Sequence, residues 1–480
     1  MTTSPDCAGL YRNNVQQQKS APTQELTIAP EDYSLLTDLY ELTMVACYTG
    51  EGLDQRRASF ELSVRRLPAG FGYLIAMGLA QALDYLENFR FSSTQLAALQ
   101  ATGIFAKAPD RFWQILTEAR FTGDVWAVPE GTAVFASEPL LRVEAPLWQA
   151  QLVETYLLNT LNYQTLIATR AARLRDVAGP QATLLEFGAR RAFSPQGALW
   201  AARAALAGGL DATSNVLAAI QLGQKPSGTM AHSLVMALAA TLGSEAQAFT
   251  AFHRYFSGAP LLIDTYDTIA AAQMLSKQLQ AGEIELAGVR LDSGDLVALS
   301  QQVRSLLPGV SIFASGDLDE WEIAKLKAAG ACIDGYGLGT KLVTGTPVNG
   351  VYKLVEIDGI PVMKKSSGKL TYPGRKQIFR CFKGSQVKAD RLGLIAESPV
   401  FEQPLLQLVV KQGQRVQNRE TLSEIQERTA SSVASLPAQT RVLDNSVSLP
   451  VEISAPLQEL TVQTQEGNEP PRRRERGGTR

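Results

Sequence analysis

The 480-residue chain, 45% hydrophobic and 19% charged, carries apolar material for a large core and a length suited to two or three domains. A formal net charge of -2 excludes the strong field that holds a polyanion, so the expected partner is a small ligand, with no nucleic acid and no membrane surface. Four scattered cysteines without a C-x-x-C pair fit a reducing cytoplasm, and two histidines, His232 and His253, exclude a multi-histidine zinc site. Any bound metal is expected to be a hard ion such as Mg2+, carried in by phosphates and held by carboxylates.

Residues 1–30 are polar and aperiodic, with no apolar run for a secretory signal, and are expected to be a disordered tail. Residues 35–44 read as a helix begun by Thr37 or Asp38, in which Tyr40 has the pattern of a packing aromatic. Ala58, Phe60, Leu62 and Val64 fall at the period of a strand, and residues 125–143, broken by Pro129 and Pro139, add more extended chain. Residues 147–177 place Leu152, Tyr156, Leu161, Leu166 and Leu174 at helical spacing and stop at Gly179-Pro180. The apolar run at 234–242 is far short of the ~20 residues that span a bilayer.

From 183 the rhythm becomes strand, polar turn, helix. Residues 183–187, 261–264, 288–291, 310–314 and 332–336 each read as a short buried strand, and the repeated alternation implies parallel pairing in a βα barrel, irregular or incomplete. One helix follows Gly294 and stops at Pro308-Gly309; the next has Asp317 and Glu320 as a capping-box-like pair and stops at Gly330. Beyond 345, residues 351–357, Asp358-Gly359 and 360–363 read as a hairpin, with further strands at 376–382 and 405–410. The resulting plan is a tail at 1–30, an N-terminal α/β domain at 31–160, an α/β barrel at 161–345, a β-rich segment at 346–465 packing with the N-terminal domain, and a tail at 466–480 with its Arg472-Arg473-Arg474 run.

A βα barrel keeps its active site at the C-terminal ends of its strands. Those positions here hold Gly188, Arg190 and Arg191; Asp264, Thr265 and Asp267; Arg290, Asp292, Ser293 and Asp295; Ser315, Gly316 and Asp317; and Gly337, Gly339 and Thr340. Cations and backbone amides at helix starts bind phosphate, and carboxylates bind magnesium or ribose hydroxyls, so the mixture points to a phosphorylated, diphosphate-bearing sugar. Any one such Asp or Ser is as well explained as a helix cap; the succession of them favours a site. The segment Gly228-Thr229-Met230-Ala231-His232-Ser233 sets an imidazole among small residues with room for a ligand, and a neutral imidazole is a competent nucleophile toward phosphorus. His253, in a helix without polar loops, reads as a packing residue.

In order along residues 35–460, the segments LLTDLYELTM, FELSVRRLP, LLEFGARRA, GLDATSNVLA, GTMAHS, LIDTYDT, GVRLDSGDL, SGDLDE, GYGLGT and GVYKLV resemble those of the nicotinate phosphoribosyltransferase family. The resemblance implies an α/β fold, an irregular βα barrel with a second α/β domain formed from N- and C-terminal segments, and a homodimer with its site near the interface. It implies joining nicotinate to 5-phosphoribosyl 1-diphosphate, with ATP as co-substrate phosphorylating His232. Tyr40, Thr229 and Arg290 would contact nicotinate, Phe187 would offer its ring to the pyridine, and Thr340 would contact the phosphoribosyl diphosphate. Asp292 and Asp211 are the candidates for ribose hydroxyls, Mg2+ or the ligand ring, and Arg190, Ser233, Ser293, Ser315, Gly316 and Gly339 complete the expected substrate contacts. The rivals are nicotinamide phosphoribosyltransferase; a barrel lyase or isomerase acting on a sugar phosphate, which would need a Schiff-base lysine or an acid-base pair at a strand end, Lys341 being the only lysine close to one; and a phosphate-binding relative without turnover.

Overall fold

A computed structural model describes residues 26–366, 369–399 and 401–467. Of the two expected tails, residues 1–25 and 468–480, with Cys7 and the arginine run, lie outside the described residues. Pro30–Asp32 forms a 3-10 turn, and the last helix, Ala455–Gly467, extends into the segment expected to be the second tail.

The alternating residues Ala58, Phe60, Leu62 and Val64 are all buried in the strand Arg57–Val64. That strand pairs antiparallel with Pro139–Pro146 on one side and Gly350–Ile357 on the other. The full sheet runs Ile360–Pro361, Gly350–Ile357, Arg57–Val64, Pro139–Pro146, Asp124–Ala127, Gln407–Lys411, Gln414–Arg415. C-terminal strands therefore flank N-terminal ones at both edges. The hairpin over 350–361 turns through Asp358 and Gly359, both at positive φ, which matches the twist of the strands it joins. A second sheet, Glu402–Pro404, Lys376–Lys383, Gln386–Leu394 and Val451–Ile453, packs beside it, tied by the buried Lys376–Glu61 pair at 2.9 Å.

The helical stretch read over 147–177 is two helices, Leu147–Leu152 and Glu154–Ala178, separated at Val153. The longer one crosses the boundary expected at 160 and serves both domains. Its Thr165 and Thr169 hydroxyls accept the N–H groups of Met77 and Ile75 at 3.2 and 2.8 Å, while Arg173 pairs with Glu320 at 2.8 Å and Arg170 donates to the carbonyls of Lys341 and Thr344.

The six parallel strands run Ala212–Thr213, Thr183–Glu186, Gly335–Leu338, Ser311–Ser315, Gly288–Leu291, Leu261–Leu262. This is the chain order of a βα barrel read cyclically, but Ala212–Thr213 and Leu261–Leu262 do not pair, so the barrel is irregular and open on one side. The chain between them folds instead as the helices Val216–Gln221, His232–Leu242 and Glu245–Tyr255. Two differences from the sequence reading stand out: the strand expected at 332–336 begins at Gly335, and the two-residue strand Ala212–Thr213 is too short to show a period. The helix Glu320–Ala328 is capped by Asp319, which accepts the Glu322 N–H at 2.9 Å, and not by Asp317, which lies at φ 47°.

Apolar packing divides along the open side. One buried cluster joins the N-terminal sheet, the long helix and barrel residues Leu184, Tyr336 and Leu338. A smaller one gathers Val235, Phe249, Leu261, Leu262, Val289, Leu291 and Ile312. Among the described residues no helix is long and apolar enough to cross a membrane.

Candidate active site

His232 is the first residue of the helix His232–Leu242 and faces the end of the strand Leu261–Leu262. Its Nδ1 lies 3.1 Å from Thr265 Oγ1 and its Nε2 4.0 Å from Asp264 Oδ1, with the imidazole 40% exposed and the Asp264 side chain 2% exposed. Asp264 was passed over in the sequence reading except as one of several strand-end carboxylates, yet it organises the rim. Its Oδ2 accepts the Asp292 N–H at 2.8 Å and the Ser293 hydroxyl at 2.7 Å, and its buried Oδ1 has no hydrogen-bond partner among the described residues. Asp292 Oδ1 in turn accepts the Ser315 hydroxyl. His232, Asp264, Asp292, Ser293 and Ser315 thus form one connected cluster across three strand ends.

Arg290 enters from the strand between them. One Nη2 donates to the carbonyl of Met230 at 2.8 Å, fixing the chain two residues before His232, and the guanidinium carbon sits 5.9 Å from the centre of the Phe187 ring. Burial draws the guanidinium down from its ordinary value, Asp292 and Asp264 oppose that, and nearby Arg190 adds to it. The group remains a cation, since arginine does not deprotonate in proteins. Its Nε is buried and has no hydrogen-bond partner among the described residues, which leaves a cationic donor uncommitted near Phe187.

Close approach explains two glycines. A Cβ at Gly337 would stand 2.6 Å from the Phe187 ring, so the ring's place depends on its absence. Gly316, at φ 99°, would put a Cβ 2.4 Å from the Asp292 carbonyl oxygen. Phe187 N–H is held by the Leu338 carbonyl at 2.7 Å, which sets Gly339 and Thr340 next to the same opening. Arg190 and Ser233 are exposed on the rim, and Thr229 is half-buried with its hydroxyl turned to the Met230 carbonyl at 3.4 Å.

Two expected members are not brought in. Asp211 precedes the strand Ala212–Thr213 and is level with Leu184, whose N–H it accepts at 2.6 Å while pairing with Arg175 at 2.6 Å. It lies toward the N-terminal ends of the strands; the C-terminal end of that strand presents Thr213, Ser214 and Asn215 instead. Tyr40 is exposed on the helix Leu39–Gly50 and bonds to Glu154, and no contact among the described residues ties it to the barrel rim. His253 has the structural role its surroundings suggested, with Nε2 2.9 Å from the Ala259 carbonyl. Lys341, the residue a Schiff-base reading needs, is engaged with Asp319 at 2.9 Å.

Sequence reading also missed Glu245, first residue of the helix Glu245–Tyr255. Burial pushes its carboxyl up to about 7, with Asp267 and Asp264 adding to the shift. Nothing in its local pattern separates it from a helix-start acid. Among the described residues, no group of three or more His, Cys, Asp or Glu side chains is arranged to hold a metal ion.

The fold is that of an open βα barrel whose strand ends bring together a half-buried guanidinium, hydrogen-bonded carboxylates and one imidazole, the end of the barrel where such folds carry their chemistry. Family models described as the nicotinate phosphoribosyltransferase N-terminal domain, family and C-terminal domain match residues 35–162, 182–313 and 394–461. A nicotinate phosphoribosyltransferase of Mycobacterium tuberculosis is 42% identical over 434 residues, covering 88% of this chain and 91% of that one; the Bacillus subtilis enzyme is 43% identical over 371 residues, 73% of each. The crystal structure of human nicotinic acid phosphoribosyltransferase superposes with a TM-score of 0.79 at 30% identity, covering 89% of this chain and 99% of that one. The chain belongs to the nicotinate phosphoribosyltransferase family.

Proposed function

We propose that the protein joins nicotinate to 5-phosphoribosyl 1-diphosphate, giving nicotinate mononucleotide and diphosphate, with ATP coupled through phosphorylation of His232. The observation that carries the reading is Arg290: a half-buried cation, its Nε without a hydrogen-bond partner among the described residues and beside an aromatic ring, is a receptor for a planar aromatic carboxylate. The charge-assisted contact favours nicotinate over its neutral amide, and Phe187 covers the pyridine face.

In the reaction the pyridine nitrogen lone pair forms the bond to ribose C1 as the C1–O bond to diphosphate breaks, and the diphosphate leaves with that electron pair. Positive charge grows on the sugar and negative charge on the leaving group, so groups already oriented toward each lower the barrier. Asp292, steadied by Ser315, faces the sugar; Arg190, Ser293, Gly316, Gly339 and Thr340 line the side where phosphates would sit. Magnesium would supply further charge neutralisation on the diphosphate. In the absence of a protein cage it would be carried by the substrate's oxygens, with Asp292 as the protein's ligand.

His232 is exposed enough to meet a nucleotide, and Thr265 holds its ring with Asp264 nearby. Phosphorylation there would place a dianion beside Asp264 and Arg290, reorganising the rim before phosphoribosyl transfer; hydrolysis would reset it. Tyr40 fits the same site only across a homodimer interface, where the exposed face of the helix Leu39–Gly50 would bring it to the partner's nicotinate. The test is one assay with nicotinate or nicotinamide at equal concentration, phosphoribosyl diphosphate, magnesium, and ATP present or absent. Nicotinate mononucleotide formed faster with ATP, and little amide product, is the expected result. Preference for the amide would reject the assignment of Arg290.

A further inference from the structure

Glu186 ends the strand Thr183–Glu186 directly before Phe187, and it is 1% exposed. A carboxyl buried at the end of an apolar Leu-Leu run needs a reason, because an unpaired one is costly. Both its oxygens are used. Oε1 accepts the Gly188 N–H, and Oε2 accepts the hydroxyl of Thr213 at 2.5 Å. Thr213 Oγ1 accepts the Asn215 N–H at 3.0 Å, the Glu186 carbonyl accepts the Ser214 N–H at 3.0 Å, and the Thr213 carbonyl accepts the Ser227 N–H at 2.9 Å.

The position of these bonds matters more than their number. Thr213 lies on the strand at the open edge of the barrel, and the chain leaving it runs through Ser227 to Met230 and His232 without a strand partner on its far side. The turn at Gly188 has no slack: a Cβ there would meet Val343 Cγ1 at 2.3 Å and Glu186 Oε1 at 2.8 Å. Glu186 therefore bridges the turn that follows the Phe187 ring and the start of the segment that delivers His232.

We propose that Glu186 is a positioning residue, a clamp through Gly188 and Thr213 that makes the Phe187 turn and the His232 segment move as one body, so that occupancy of the pyridine pocket and the state of the imidazole are mechanically linked. It touches neither substrate. The proposal rests on the reading of Phe187 and His232 given above and adds the element that connects them. What the clamp uses is two hydrogen bonds in fixed places, one to the Gly188 N–H and one to the Thr213 hydroxyl.

The test compares Glu186→Ala, Glu186→Gln and Thr213→Val with Phe187→Ala. Glu186→Ala leaves the Gly188 N–H and the Thr213 hydroxyl without their acceptor, and Thr213→Val leaves Glu186 Oε2 without its donor and the Asn215 N–H without its acceptor; both are expected to raise the KM for nicotinate roughly tenfold, while the KM for phosphoribosyl diphosphate stays within about twofold. Both should also let ATP hydrolysis run without matching product. Glu186→Gln keeps an acceptor for Gly188 and turns its amide to Thr213, so it should recover most of the lost affinity. Hydrogen exchange supplies a readout independent of substrate: residues 187–192 and 213–231 should lose protection together in Glu186→Ala and Thr213→Val. If Glu186→Ala does not fold, Thr213→Val decides. Unchanged exchange in both segments, or Glu186→Gln as damaging as Glu186→Ala, overturns the clamp. So does an unchanged nicotinate KM in Thr213→Val alongside a raised one in Phe187→Ala. Should Phe187→Ala leave nicotinate KM unchanged while the exchange effect appears, the clamp stands and the ring's role falls.

Discussion

Replacing Arg290 by Gln removes the cation and shortens the side chain to about the reach of Nε, giving up the bond to the Met230 carbonyl. In the folded protein Nη2 is committed to that carbonyl and Nε has no hydrogen-bond partner among the described residues, so the guanidinium can offer Nε and a second edge donor to a carboxylate. Each charge-assisted hydrogen bond is worth about 1.5–3 kcal/mol, so losing two costs nicotinate on the order of 3–6 kcal/mol, a drop of roughly two to four orders of magnitude in kcat/KM. Nicotinamide offers the guanidinium one neutral carbonyl oxygen, and exchanging that cationic donor for a neutral amide loses about 1 kcal/mol, roughly fivefold. The preference for nicotinate should therefore shrink by about a hundredfold. The assay is steady-state kinetics with both substrates at saturating phosphoribosyl diphosphate and ATP, with thermal unfolding to show that the fold survives. A preference ratio within threefold of the parent enzyme, in a folded variant, would falsify the placement of the carboxylate against Arg290.

His232→Ala should abolish acid-labile phosphoprotein formation from labelled ATP and remove the ATP stimulation of product formation; ATP stimulation that persists would refute the imidazole as acceptor. Asp211→Asn should leave kcat and both KM values within about twofold and cost no more than about 1 kcal/mol of stability, because its pair with Arg175 is half-exposed and distant from the rim. A large loss of kcat would return Asp211 to the site. Gly316→Ala, forced to place a Cβ against the Asp292 carbonyl at φ 99°, should raise the KM for phosphoribosyl diphosphate by tenfold or more, about 1.4 kcal/mol or above. Glu41 is buried between Thr37 and Thr155, and burial pushes its carboxyl from 4.5 up to about 7. The folded state thus holds a proton that the unfolded state releases, so this contribution is present below the ordinary carboxyl range and is lost as pH rises through 7. Glu41→Gln should gain stability, up to roughly 3 kcal/mol, at pH 8 and little at pH 5; equal denaturation midpoints for the two proteins at pH 8 would contradict the shift.

What could be read from the sequence was what depends on periodicity and residue type. Gly288–Leu291 was legible as a strand because four residues between polar turns have one buried reading, and the Asp358-Gly359 turn because its chemistry demands positive φ. Asp211 shows the limit: an aspartate near a promising motif has the right chemistry for ribose hydroxyls, but whether it precedes or follows a two-residue strand depends on register with Thr183–Glu186, which lies far away in the chain. Asp317 and Asp319 could each have capped the same helix, and only backbone geometry chose between them. Asp264 and Glu186 were hidden for another reason. Their importance comes from partners on other strands, Asp292 and Ser293 for one, Thr213 for the other. Tyr40 was legible only through the family resemblance, since its own helix gives it no business at the barrel.

The unclosed edge of the barrel has a consequence for how the molecule fluctuates. Residues between Thr213 and Leu261 draw on the smaller apolar cluster around Val235 and Phe249 and not on the large one that spans the rest of the protein. Such a region can open at less free energy than the whole molecule needs to unfold. The imidazole therefore rides on a part of the protein that can open locally, while Ser315 and Thr340 are held by strands paired on both sides or by the long helix. A site divided this way has one half that stays put and one half free to respond to the chemical state of a nucleotide.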